Sequence, residues 1–277
     1  MAHSNIAPTL TRAELLAMLR WQADAGVDEA VGPAPWNRFA EAPATAATPA
    51  ADANAEASAA RTARRPAPAA AAPALSVGAL DDCADLGSLR ARLDAFDGGQ
   101  LQRFATNTVF GDGAAGARVM LVGEAPGAEE DRQGVPFVGP SGKLLDRMLA
   151  SIGLVRSDVY IANTLYWRPP GNRTPTPEER NATLPFLMRQ IELVGPKVVV
   201  ALGGPAAQTL LNETQGITRL RGRWFDFRTR AGAAGGLACP ALPTFHPAFL
   251  LRQPAQKRQV WQDLRAIRAK LDALGGA

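Results

Sequence analysis

The stretch Val119–Gly142 reads VMLVGEAPGAEEDRQGVPFVGPSG. It opens on an apolar run, Val119 to Val122, and breaks at Gly123; the next nine residues, Glu124 to Arg132, carry four carboxylates. A short β-prone run ended by a Gly/Pro-rich turn reads as a buried parallel strand that delivers its loop to a sheet edge. In open α/β sheets, ligands sit outside the carboxyl ends of the strands. The loop is acidic and has neither G-x-G-x-x-G nor a Walker lysine, which argues against a nucleotide triphosphate.

Downstream, strand-like and helix-like segments alternate. Arg118–Val122 is followed by a helix over Ser141–Ile152, and a strand over Val159–Asn163 by a helix over Pro177–Val194. A third strand, Lys197–Leu202, leads through Gly203-Gly204 into a helix over Pro205–Leu211. A fourth, Leu242–Phe245, precedes a C-terminal helix over Pro254–Leu274. This alternation predicts an α/β fold, three αβα layers around a central four-stranded, mostly parallel sheet. Upstream, Asp85–Phe96 has helical periodicity that carries Leu86, Leu89, Leu93 and Phe96 inward.

The N-terminal part differs in composition. Residues 1–31 hold an amphipathic helix over Thr9–Ala25, with Thr11 and Glu14 as its start signal and Gly26 as its stop. Residues 32–78 are Ala/Pro-rich and bury too little large apolar surface to offset ordering entropy, so a disordered linker is expected there. Residues 79–277 form the expected folded domain. The partner of the N-terminal arm is unknown.

The chain has 277 residues and a net charge of +4, which favours a polyanionic partner. Its two cysteines, Cys83 and Cys239, are too few for a disulfide framework or a cysteine-ligated metal centre. No charged-plus-apolar signal pattern appears in the first residues, so no signal segment is expected, and no run reaches the ~18 apolar residues that span a bilayer. A cytoplasmic monomer with no membrane partner and no metal is expected.

Three strand ends each deliver a polar residue to one sheet edge: Glu124, Asn163 and His246. Singly, an Asn there often bonds local backbone, and a His before Pro is often structural. Together they point to a ligand site.

GEAPGAEED at Gly123–Asp131, PFVGPSG at Pro136–Gly142, RPPGNRTPTPEE at Arg168–Glu179 and HPAFLLRQP at His246–Pro254 resemble motifs of the uracil-DNA glycosylase superfamily, in particular its family 4 type. The resemblance runs from about Phe104 to Ile267. It implies a central four-stranded parallel sheet and a monofunctional glycosylase that flips uracil from DNA and leaves an abasic site, in base excision repair. It puts the uracil pocket at Gly123, Ala125, Phe137 and Asn163, with Phe137 as the stacking ring and Asn163 as the reader of the uracil edge. His246 would support the negative charge that grows on the leaving base. Glu124, Glu130 and Asp131 are candidates for handling water, because Ala125 stands where other branches of the superfamily have an aspartate; an acidic helix start is the alternative for the cluster that includes Glu130 and Asp131.

Arg173, Arg221, Arg223 and Arg252 are candidate DNA contacts. Leu250, Leu251 and Arg252 are the candidate wedge, with a core role for the two leucines as the alternative. Family 4 proteins usually hold an iron–sulfur cluster on four cysteines; the corresponding positions here are Phe96, Gly99, Trp167 and Thr183, so no cluster is expected. Two other readings stay open: a protein that binds or retains uracil-DNA without turnover, and an unrelated α/β enzyme acting on a small polar substrate. Single- or double-strand preference and activity on other deaminated bases are likewise open.

Overall fold

The computed structural model describes residues 77–230 and 236–275. The expected helix at 1–31 lies outside the described residues, as does the expected linker apart from Val77 and Gly78, which begin a 3-10 turn over Val77–Leu80.

Six strands form one sheet: β1 (Asp112–Gly113), β2 (Val119–Gly123), β3 (Val159–Asn163), β4 (Val198–Leu202), β5 (Phe225–Arg228) and β6 (Ala238–Thr244). Their order is β1-β3-β2-β4-β6-β5. The central four, β3-β2-β4-β6, run parallel, as the alternation of segments predicts. The sequence reading missed the two antiparallel edges, β1 on β3 and β5 on β6. Two-residue β1 is too short to carry a period. In β5, FDFR, only Phe227 is fully buried, so the segment reads as part of a basic run.

Strands β2, β3 and β4 are buried at every position. That is why they read as continuous apolar runs; helices cover both faces. One face packs Leu121, Ile161 and Val200 under α4 (Pro140–Ala150) and α9 (Lys257–Ala273). The other packs Met120, Val122, Val199 and Ala201 under α5 (Pro177–Val194) and α6 (Gly204–Leu211). The other α-helices among the described residues, in chain order, are α1 (Leu86–Asp94), α2 (Gly99–Phe104), α3 (Ala128–Gln133), α7 (Ile217–Leu220) and α8 (Pro247–Arg252). A third apolar cluster joins Leu89 and Leu93 of α1 to Leu165, Tyr166, Trp167 and Phe186.

Local signals explain the helix limits. Thr176 accepts from the Glu179 amide while Glu179 accepts from the Thr176 amide, a capping box that starts α5; Gly195, at φ +64°, ends it. The expected C-terminal helix is a 3-10 turn over Pro254–Gln256 that runs into α9. No described helix is long and apolar enough to cross a membrane.

After β2 the chain adds β3 on one side, then crosses to add β4 on the other. This reversal beside β2 is the switch point at which the carboxyl ends of a parallel sheet part and leave a crevice.

Candidate active site

A cleft of about 720 Å³ opens at that switch point. Its lining comes from the ends of all four parallel strands: Glu124 after β2, Asn163 closing β3, Leu202 and Gly203 at β4, and Phe245 and His246 after β6. Ala125, Glu130 and Phe137 complete the inner wall, and Arg173 and Arg252 stand among its lining residues. The residues singled out on separate strands therefore share one site.

Gly123 and Asn163 are partners in the β2–β3 ladder. Beyond them, the Thr164 amide donates to the Gly123 carbonyl at 2.9 Å, and the Thr164 hydroxyl donates to the Glu124 carbonyl at 2.7 Å. The acidic loop is thereby fastened to the end of β3. A side chain at Gly123 would lie 2.4 Å from Asn163 Oδ1 and 2.7 Å from the tip of the Phe137 ring. Only hydrogen fits there.

Asn163 is 1% exposed, and its Oδ1 is a buried acceptor without a hydrogen-bond partner. Such an atom costs free energy until a donor reaches it. Phe137 is also buried, with φ at +53°, an unusual value for a residue other than glycine. Its ring centroid lies 5.4 Å from that of His246.

His246 caps α8: its Nδ1 accepts from the Ala248 amide at 3.1 Å. The ring proton therefore belongs on Nε2. Burial lowers the His246 pKa to about 4, helped by the nearby Arg252 charge and opposed by Glu130. The imidazole is thus neutral and still a donor at physiological pH. Gly203, at φ +96°, packs behind it; a Cβ there would lie 3.1 Å from His246 Cβ. The sequence reading passed over Gly203 as a turn residue, although its Gly-Gly pair at a strand end signals a close backbone approach.

The three acidic candidates separate. Asp131 is buried and faces away from the cleft chemistry. Its Oδ1 accepts from the amides of Thr106 and Asn107, and its Oδ2 from the Thr106 hydroxyl. It ties α3 to the preceding loop, so the expectation that it handles water is corrected. Glu130 lines the cleft, but Oε1 accepts from the Val138 and Gly139 amides at 2.9 Å each, and Oε2 from Gly127 at 3.2 Å. Its carboxylate is thus engaged with the loop. Glu124 is half-buried in the cleft, and burial raises its pKa against the opposing charge of Arg180. Its raised pKa and its place in the cleft give it the character of a general base.

The DNA-contact candidates separate too. Arg221 forms a buried ion pair with Asp263 at 2.5 Å and donates to the Gln259 carbonyl. Asp263 also accepts from the Thr244 hydroxyl at 2.7 Å. Arg221 is thus committed inside the fold, and its expected phosphate contact is corrected. Leu250 is 1% exposed and belongs to the core, so it is removed from the wedge; Leu251 beside it is 42% exposed. Arg252 is exposed at the cleft, and Arg173, also exposed, pairs with Glu179 at 2.5 Å. Arg223 is exposed outside the cleft lining, its guanidinium 5.5 Å from the centre of the Phe225 ring.

The four positions that the resemblance assigned to cluster cysteines hold Phe96, Gly99, Trp167 and Thr183, none of which offers a thiolate. Phe96 packs on Phe186 with ring centroids 5.2 Å apart. Trp167 is 1% exposed, donates to the Thr108 hydroxyl at 3.1 Å and lies flush against Gly98. The Thr183 hydroxyl donates to the Thr164 carbonyl at 2.8 Å, and Gly99 has no side chain. Among the described residues, no three His, Cys, Asp or Glu side chains gather as metal ligands do. These donors do not fit an iron–sulfur cluster.

Comparison with known proteins agrees with this architecture. Residues 110–265 match the model of the uracil DNA glycosylase superfamily. The chain is 43% identical over 167 residues to a type-4 uracil-DNA glycosylase of Thermotoga maritima, covering 59% of this chain and 83% of that protein. It is 43% identical over 171 residues to the Archaeoglobus fulgidus protein of the same description (60% and 83%), and 38% over 184 residues to that of Pyrobaculum aerophilum (65% and 91%). With the matched region spanning more than half of its length and all four strand ends of the cleft, the chain belongs to the uracil-DNA glycosylase superfamily.

Proposed function

We propose that this protein is a uracil-DNA glycosylase that hydrolyses the N-glycosidic bond of uracil in DNA, leaving free uracil and an abasic site. The observation that carries the reading is the buried, unpartnered Oδ1 of Asn163 beside the Phe137 ring and the His246 donor, all in one cleft. A base within a duplex is out of reach, so the target nucleotide is turned out into the cleft. Phe137 offers it a stacking surface worth about 1–3 kcal/mol. Asn163 Oδ1 accepts from uracil N3–H while its amide nitrogen donates to O4. Cytosine has no N3–H and presents a donor where uracil has O4, so both amide groups would stay unpaired.

As the C1′–N1 bond breaks, its electron pair moves onto the uracil ring and charge grows on O2. The neutral Nε2–H of His246 stabilises that charge without transferring its proton. Glu124 accepts a proton from the water that attacks C1′. Arg173, Arg223 and Arg252 supply phosphate contacts, and Leu251 enters the base stack where the nucleotide has left. The protein acts as a cytoplasmic monomer. It works without an iron–sulfur cluster: Trp167, Phe96 and Thr183 fill with packing and hydrogen bonds the positions that thiolates would need. Iron and visible absorbance in anaerobically purified protein test that point, and stoichiometric iron would overturn it.

The function itself is tested with a labelled oligonucleotide holding one uracil, single-stranded or opposite G or A, in the presence of EDTA. Alkali-labile sites in the uracil lanes alone are expected. Uracil-dependent retention in a gel without such sites would instead indicate a non-catalytic binding protein.

A further inference from the structure

Arg156 lies outside the cleft lining and precedes β3, yet it reaches three separate parts of the fold. Its Nε donates to Asp112 Oδ2 at 2.6 Å, and Nη1 donates to Asp146 Oδ1 at 3.2 Å. The same guanidinium donates to two carbonyls of the loop before α4: Nη1 to Phe137 at 3.1 Å, and Nη2 to Pro136. Asp112 and Asp146 thus neutralise the guanidinium and fix its plane, leaving its remaining N–H groups aimed at the backbone.

That backbone is the one that most needs holding. Phe137 has φ at +53°, where a Cβ crowds the chain and a non-glycine residue stays only if its surroundings insist. Gly142 in the first turn of α4 abuts the Phe137 peptide; a Cβ there would sit 1.7 Å from the Phe137 carbonyl oxygen. On the opposite side of the loop, Glu130 accepts from the Val138 and Gly139 amides. The PFVG segment is therefore gripped by opposite charges: a carboxylate holds its N–H groups and a guanidinium holds its carbonyls.

We propose that Arg156 is a positioning residue for uracil recognition: by holding the Pro136 and Phe137 carbonyls it keeps the Phe137 ring in the plane where the flipped base stacks. The proposal rests on reading Phe137 as the stacking platform. Arg156 touches no part of the base. Without it, the Phe137 peptide can rotate toward ordinary negative φ and swing the ring from between Gly123 and His246. Lysine, a single point charge, cannot serve both carbonyls and both carboxylates at once.

A double-mutant cycle under single-turnover conditions, with enzyme in excess over uracil-containing oligonucleotide, tests this. Arg156→Met is expected to slow base release by about tenfold or more in the native background, but less than about twofold when Phe137→Ala is already present. Arg156→Lys should recover part of the rate. Affinity for the same oligonucleotide without uracil should stay within about twofold in both Arg156 variants, which a general loss of folded protein would not allow. An equal slowing in both backgrounds would overturn the proposal, as would a native rate in Arg156→Met. If the Met variant does not fold, Arg156→Lys carries the cycle: a smaller slowing is expected in the native background that vanishes when Phe137→Ala is present, and a native rate or an equal slowing in both backgrounds would overturn the proposal. A fully active Phe137→Ala single variant would instead defeat the stacking reading itself, so the two failures are distinguishable.

Discussion

Gly123→Ala adds one methyl group at the point where the reader and the platform meet. The new Cβ would lie 2.4 Å from Asn163 Oδ1 and 2.7–2.8 Å from two carbons at the Phe137 ring tip. Restoring an ordinary 3.4 Å contact moves the amide by about 1.0 Å and the ring by about 0.7 Å. Neither has free space: Asn163 is 1% exposed, and Phe137 is 5% exposed with its backbone carbonyl held by Arg156. A misplacement of about 1 Å at a reacting centre costs on the order of 10²-fold in rate, or about 2.7 kcal/mol of transition-state stabilisation. Gly123 itself does not need a left-handed backbone, so the alanine should fold. The assay is single-turnover release of uracil from a labelled oligonucleotide, with the thermal midpoint measured alongside. Because binding to uracil-free DNA does not use the pocket, its salt-dependent affinity should be unchanged. A rate within about threefold of the native protein would refute the reasoning, because the wall between amide and ring would then be free to yield.

Further outcomes follow from the same geometry. The adjacent leucines should separate: Leu250→Ala should destabilise the fold by about 2–5 kcal/mol, whereas Leu251→Ala should leave thermal stability intact and slow release from duplex more than from single strands. Arg221→Ala strands the buried Asp263 and should cost about 3–5 kcal/mol in denaturant titrations, without changing the salt slope of DNA binding. The rate should fall on the acid side as Glu124 takes up a proton. Burial raises its pKa from the usual glutamate value of 4.5, so the limb should lie above that value and vanish in Glu124→Gln. His246, with its pKa near 4, should contribute no limb between Glu124 and neutrality.

Much of the fold was legible because its central strands are buried on both faces: VMLVG, VYIAN and VVVAL had to be largely apolar up to their carboxyl ends. The strand ends were legible for a related reason. A polar residue that closes or follows such a run marks the carboxyl end of the strand, and in a parallel sheet all such ends emerge on one edge. Glu124, Asn163 and His246 were found in that way, and the four motif stretches carried the family and, with it, Gly123. The edge strands were hidden because β1 is too short to show a pattern and β5 buries only one residue fully.

What the chain order could not reveal was the partner of each charged side chain. Arg221 and Arg223 sit two residues apart in one basic run, yet one is locked on buried Asp263 and the other is exposed beside Phe225. Glu124, Glu130 and Asp131 share one acidic loop, but only Glu124 is left without backbone donors at its carboxylate among the contacts seen. Arg156 gave no signal at all, since its meaning depends on Asp112, Asp146 and two carbonyls brought from distant parts of the chain. The sequence by itself determined where strands run and which chemistry reaches the sheet edge, because burial is written as local apolar pattern. Only the tertiary structure decided which charges work in the cleft and which brace it, because an ion pair is set by distance in space and not by separation along the chain.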